Sequence, residues 1–447
     1  MIIKGATIVS EGQERVGDVL VANGVIRRIS GFLDIDGEEI VDAHGCYLLP
    51  GIIDDHVHFR EPGMTHKADM HTESMAAVAG GVTSILDMPN VVPQTTTLET
   101  WKQRMRLAER HMHCNYGFFI GATDSNIDEI LKLPVEEYPG VKLFMGSSTG
   151  DMLVDGQESL MRIFSKSPKI IMAHCEDTSV IDRNMKNARE RYGDDPDVVY
   201  HPEIRSREAC IASSSLAVRL ARETGARLHI AHITTAEELD LTDGSDNLDS
   251  SEGPRVTGEV CIAHLVYTQE DYKTLGAKIK CNPSIKHNSD RTALRKALTD
   301  GRLAVVGTDH APHLLTEKTG GARVAVSGMP MVQFSLISML ELVDEGVLPM
   351  TRLVDLMCHN PARLFGIRQR GFIREGMYAD MVVVKRTEPY CLSKKSILSK
   401  CGWSPRENDE FHWKVCKTFI SGNMVYDGNT VDTSFHGNAL RFVRNND

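Results

Sequence analysis

Two histidines one residue apart, His56 and His58 in "DDHVHFREPG", are the first residues whose spacing suggests chemistry. In an extended strand, residues i and i+2 share a face. Both imidazoles therefore project together, with Val57 opposite, and at a strand's end they make half a zinc site. Other apolar runs also carry polar groups at or near their C-terminal ends. "KIIMAH" ends in His174, "RLHIAH" in His232 and "LAVVGTDH" in Asp309-His310, and "GVKLFM" carries Lys142 between apolar neighbours. A lone histidine at a strand end is more often a hydrogen-bonded structural residue than a ligand. His229, three residues before His232 and on the opposite face, is expected to be of that kind. Asp309 could cap a following helix, but a carboxylate facing four histidines is better used as ligand and proton carrier. Lys142 could snorkel, yet a buried ammonium is expensive unless paired or neutralised. Desolvation lowers its pKa, and a neutral amine can take up CO₂ as a carbamate. That turns a cation into a bidentate anionic ligand able to bridge two zinc ions.

The elements that must position these groups follow from the pattern around them. The short runs "GIIDDHVH", "VTSILDM", "YGFFIGA", "GVKLFM", "KIIMAH", "RLHIAH", "AKIKCN" and "LAVVGTDH" alternate with helical candidates at 68–80, 97–112, 156–166, 205–224 and 289–300. Runs apolar on both faces, alternating with helices, predict a parallel sheet. Their number fits an α/β fold of the (β/α)₈ TIM-barrel type, whose C-terminal strand ends form the active-site face. No GxGxxG follows the first strand, which argues against a doubly wound sheet. The chain ends read differently. Asn23-Gly24 between apolar runs is a hairpin signal, and "WKVCKTFISGNMVYDG" is predicted to turn at its Gly-Asn pair. Residues 1–50 and 373–447 are expected to pair into one small β-sandwich domain, with 51–372 as the barrel. The polar stretch 242–254 is expected to be an exposed loop.

The formal net charge of -11 argues against nucleic acid as a partner, because phosphate contacts need a basic face. It also means that an anionic substrate needs local help from an arginine or a metal. The ten cysteines show no CxxC spacing and read as reduced, mostly buried thiols. No apolar run approaches the roughly 18 residues that span a membrane, and the start lacks the apolar core of a signal peptide. A cytoplasmic protein without a membrane partner is the expectation.

Taken together, His56-x-His58, Lys142, His174, His232 and Asp309 resemble the metal set of the amidohydrolase superfamily. In finer detail the chain is similar to the dihydroorotase family, a cyclic-amidase branch. "DDHVHFREPG", "MPNVVP" (88–93), "KCNPSIK" (280–286), "GTDHAPH" (307–313), "NPARLFGI" and "GFIREGMYADMVVV" resemble its motifs, in the expected order. The resemblance implies a binuclear zinc hydrolase that interconverts dihydroorotate and N-carbamoyl-L-aspartate in pyrimidine biosynthesis. One zinc would take His56, His58 and Asp309, the other His174 and His232, with carboxylated Lys142 and a hydroxide bridging them. Asp309 would be the acid–base catalyst, and Arg60, Asn90, Asn282 and His313 would hold the substrate. On local sequence alone Arg60 could instead be a surface ion-pair residue, and Asn90 and Asn282, each beside a proline, turn residues. A homo-oligomer, dimer or tetramer, is implied as well. Lys142 is also what hydantoinases and allantoinases show, so another cyclic amidase is the first rival, against which Arg60 speaks. A non-catalytic dihydropyrimidinase-like scaffold is the second, and it should have lost metal ligands, whereas all six positions are filled here. The chain departs from the dihydroorotase pattern at Ser284, Ile285-Lys286 and Ala263.

Overall fold

The computed structural model describes residues 1–146, 152–250 and 252–443. Eight parallel strands form its centre: Ile52–Val57, Val82–Asp87, Asn115–Phe118 continued by Ile120–Gly121, Val141–Met145, Ile171–Cys175, Leu228–Ile230, Val256–Cys261 and Val305–Gly307. Every residue of these strands is buried, as expected of a sheet covered on both faces. Neighbours pair in chain order. The eighth strand returns to the first through the parallel bridge Val57↔His310 and the 2.7 Å bond from His58 N–H to the His310 carbonyl. The fold is an α/β barrel of the TIM type with a β-sandwich beside it.

The five expected helices are present as Met70–Ala79, Leu98–His111, Gln157–Lys166, Arg207–Thr224 and Asn288–Ala297. Several begin at side-chain caps: Asp69 accepts from Thr72 N–H, Thr97 from Thr100 N–H and Ser206 from Ala209 N–H, each satisfying a donor that the first turn leaves free.

Three expectations are corrected. The run 277–282, "AKIKCN", is not a barrel strand: Gly276–Ile279 is a 3₁₀ turn, and the seventh strand is Val256–Cys261. Thr257, Gly258 and Glu259 interrupt the apolar signal of that strand, although all of its residues are buried. The C-terminal hairpin turns one residue early. Ile420 pairs with Asn423, so Ser421 and Gly422, at φ 46° and 76°, are the turn residues. Third, His229 does not face away from the interior. Its Nδ1 lies 2.8 Å from Thr257 Oγ1 and its Nε2 3.4 Å from Asp55 Oδ2. Strict alternation fails because the sixth strand ends at Ile230 and the backbone at His232 turns left-handed, φ 38°.

Strands from both chain ends share one sheet, in the order Asn423–Tyr426, Glu410–Ile420, Met381–Cys391, Tyr47–Pro50, Ile2–Ser10, Gln13–Ala22, Val25–Ser30. The Asn23-Gly24 hairpin lies within it, both residues at positive φ. Tyr47–Pro50 runs straight into the first barrel strand, so the sheet anchors the strand that carries His56. The stretch 242–250 is irregular and largely exposed, while position 251 of that expected loop lies outside the described residues. So do positions 444–447 of the expected C-terminal domain.

Candidate metal centre

A small cavity at the C-terminal strand ends, about 50 Å³, is lined by His56, His58, Lys142, His174, His232 and Asp309, together with Arg60, Asn90 and Asn282. The side chains come from the first, second, fourth, fifth, sixth and eighth strands or the loops that leave them, and from the 280–282 stretch. His313, the remaining expected substrate residue, does not line the cavity. It stands behind Arg60, whose Nη2 lies 3.0 Å from His313 Nε2.

Each imidazole presents one nitrogen to the cavity and uses or turns the other outward. His56 Nδ1 is 3.0 Å from Glu259 Oε2, and His58 Nδ1 is 2.8 Å from Asn90 Oδ1. Both partner oxygens accept, so Nδ1 carries the hydrogen and Nε2 offers its lone pair inward. His58 Nε2 and His56 Nε2 lie 3.0 and 3.4 Å from Asp309 Oδ1, and Lys142 Nζ lies 3.4 Å from His56 Nε2. His174 Nδ1 and His232 Nε2 face each other across 2.9 Å. His174 Nε2 is 3.2 Å from Glu176 Oε2 in poor hydrogen-bonding geometry, and His232 Nδ1 is buried without a partner among the described residues. His56 and His58, held from behind with one lone pair aimed inward, are arranged as metal ligands are. His56, His58 and Asp309 offer atoms that all lie within 4.8 Å of one another.

Protonation suits the same purpose. Burial pushes His58 down to about 4 against the pull of Asp309. Burial also lowers His174 and His232, leaving neutral imidazoles, the form that binds metal. Burial and Lys142 push His56 down as well, but Glu259 and Asp309 outweigh them and hold it above its ordinary value. Burial would raise Asp309, yet His56, His58 and Lys142 keep it well below the usual carboxylate range. Lys142, fully buried, is lowered by desolvation.

Three of the lining residues sit in the left-handed region: Arg60 at φ 66°, His232 at 38° and Asp309 at 48°. Such a backbone at a non-glycine residue costs on the order of 1–3 kcal/mol and concentrates at functional sites. Here it turns each side chain back towards the barrel axis just after its strand ends. Glu259 is the functional residue that sequence reasoning missed. Burial raises its pKa, but His56 and His229 outweigh that and hold it at about 2, so it meets the His56 ring as a carboxylate. The signal was a charged residue inside a buried strand, the same signal that marked Lys142.

Residues 47–425 match the amidohydrolase family. A dihydroorotase of Halobacterium salinarum is 33% identical over 440 residues, covering 95% of this chain and 99% of its own. An allantoinase of Bacillus velezensis is 29% identical over 448 residues, covering 99% and 97%. The solved structure of L-hydantoinase (dihydropyrimidinase) from Arthrobacter aurescens superimposes with a TM-score of 0.91 at 25% identity, over 98% of this chain and 99% of that one. The chain belongs to the amidohydrolase family, as a hydrolytic enzyme of its cyclic-amide-opening branch.

Proposed function

We propose that the protein is a dihydroorotase, opening dihydroorotate to N-carbamoyl-L-aspartate and closing it again, as a step of pyrimidine biosynthesis. The observation that carries this reading is Arg60. It lines the cavity at 5% exposure, and among the described residues no carboxylate lies within ion-pairing distance of it. Its Nε donates to the Pro312 carbonyl at 3.2 Å, and its Nη2 lies 3.0 Å from His313 Nε2. A guanidinium buried without an anion is expensive, and a substrate carboxylate supplies the missing partner through two parallel charge-assisted hydrogen bonds. Dihydroorotate has that carboxylate, whereas allantoin and hydantoin do not. The Asn90 carbonyl is engaged by His58, which leaves its amide N–H groups for the substrate, and the buried Asn282 Oδ1 has no partner among the described residues.

Changing Arg60→Met is expected to lower kcat/KM for dihydroorotate by about 100-fold, the worth of two such bonds, and to change turnover of uncharged hydantoin little. Steady-state kinetics on both substrates decides it, and equal losses would contradict the assignment. The rival reading, an allantoinase or hydantoinase, is favoured by Lys142 and by the likeness to the Arthrobacter enzyme. A rate comparison of dihydroorotate, allantoin and hydantoin on the unmodified protein separates the two.

The donor set fits two zinc ions. His56, His58 and Asp309 would hold one, His174 and His232 the other, and carboxylated Lys142 would bridge them. Bound there, the pair would lower the pKa of a shared water to near neutrality and polarise the amide carbonyl. The chain's own residues do the rest. Water oxygen adds to the ring carbonyl carbon and the C–N bond breaks. Asp309 takes the proton from the attacking water and returns it to the leaving ring nitrogen. Glu259 fixes the tautomer and orientation of His56. Glu259→Gln is expected to weaken metal retention by about 10–100-fold, read by competition with a chelator, and unchanged affinity would exclude this role.

On this reading residues 51–372 are the catalytic barrel and 1–50 with 373–447 its composite β-domain, and the enzyme works in the cytoplasm as a homo-oligomer. No helix among the described residues is long and apolar enough to cross a membrane.

A further inference from the structure

Two buried lysines stand against the cavity wall outside the set that faces it. Lys318, 6% exposed, closes the short turn Leu315–Lys318 beyond the eighth barrel strand. An ammonium has three N–H groups, and here each has a carbonyl: Gly328 at 2.7 Å, Val326 at 2.8 Å and Lys280 at 3.0 Å. Lys280, 4% exposed, donates its own ammonium to the Ala325 carbonyl. The Gly328 N–H completes the ring with a 2.8 Å bond to the Lys280 carbonyl.

These bonds join two stretches from different loops, 280–282 and 325–328. Both line the cavity, through Asn282 on one side and Ser327 and Gly328 on the other. The second stretch has little slack. Gly328 has φ 126°, and a Cβ there would lie 2.6 Å from the Ala311 carbonyl oxygen. Among the described residues neither lysine has a carboxylate within ion-pairing distance, and Glu317, next to Lys318, pairs with Lys67 at 2.6 Å instead. An apolar side chain could fill this space without the desolvation that a buried cation suffers. Burial pulls the Lys318 pKa down to about 7, and three carbonyls that can only accept favour the protonated form; what the ammonium alone supplies is three diverging donors on one atom.

We propose that Lys318 is a positioning residue for ring opening: its ammonium clamps the 325–328 wall to the 280–282 wall, and so sets the width of the substrate cavity between Ser327-Gly328 and Asn282. This rests on the cavity being the substrate site. The test therefore uses whichever of dihydroorotate, allantoin and hydantoin the unmodified holoenzyme opens fastest, so a wrong substrate assignment shows before any variant is made. Lys318→Met is expected to raise KM about 10-fold or more, with kcat affected less and metal content unchanged. Lys318→Ala is expected to show the same defect, relieved by propylammonium chloride, whose cation fits among the three carbonyls, and not by propanol. An unchanged KM, a loss that follows metal content, or a defect that propylammonium does not relieve would overturn the proposal. Should neither variant fold, Lys318→Gln, whose amide offers two N–H donors on a shorter arm in place of three, carries the test. A raised KM at full metal content supports the clamp, and an unchanged KM overturns it.

Discussion

Lys142→Ala is expected to abolish turnover, lowering kcat by about 1,000-fold or more, since several kcal/mol of charge stabilisation disappear together. Lys142 is fully buried on the fourth barrel strand. Its Nζ has one polar partner within hydrogen-bond distance among the described residues, His56 Nε2 at 3.4 Å, and lies 5.3 Å from the Phe144 ring centre. An ammonium held there without an adjacent carboxylate is badly solvated, and burial accordingly lowers its pKa. Deprotonation leaves a nucleophilic amine. On the proposed reading its lone pair would form the N–C bond to CO₂ as one N–H proton leaves to solvent, giving an anionic carbamate beside His56. Alanine would remove the group proposed to carry that anion. Kinetics and metal content should be measured on one preparation, with and without a small carboxylate such as acetate, which is expected to restore part of the activity. Full activity in the alanine variant would rule the carbamate out.

Asp309→Asn is expected to lower kcat by about 10²–10⁴-fold, the usual worth of a positioned acid–base group, with a much smaller change in KM. The amide keeps the shape of the side chain but cannot accept a proton. The sign of the pH dependence follows from the native pKa. His56, His58 and Lys142 overcome burial and hold Asp309 below the ordinary carboxylate range. The carboxylate is therefore already ionised near neutrality, and activity that depends on it falls only as the pH drops below that range. In the asparagine variant this acid limb should vanish from the residual rate. Metal content of the same sample separates loss of a proton carrier from loss of a ligand. A variant that keeps wild-type kcat would remove Asp309 from the chemistry.

Much of this centre was legible because parallel barrel strands share a direction. Polar groups at the C-terminal ends of apolar runs must meet at one rim, however far apart they lie in the chain. That is why His56, His58, His174 and His232 could be grouped without coordinates. A cation inside a buried run is anomalous by itself, which marked Lys142. Glu259 carries the same anomaly, but Thr257 and Gly258 beside it hide the strand, and the run 277–282 offers the stronger apolar signal. The consequence is specific: residues 280–282 lie in a rim loop after a 3₁₀ turn, and that is how Asn282 reaches the cavity.

The sequence by itself determined the barrel's alternation, the pairing of the two chain ends, and the kinds of side chain that gather at the strand ends, because all three depend on local periodicity and on residue type. Only the tertiary structure decided which nitrogen each imidazole turns inward, that Arg60 is buried with no carboxylate partner among the described residues while His313 stands behind it, and that Lys318 bonds one cavity wall to the other. Those outcomes depend on left-handed φ values at Arg60, His232 and Asp309, and on contacts such as Glu259 with His56, 203 positions apart. Local preference encodes neither, since both arise only when the closed barrel brings distant backbone within hydrogen-bonding reach.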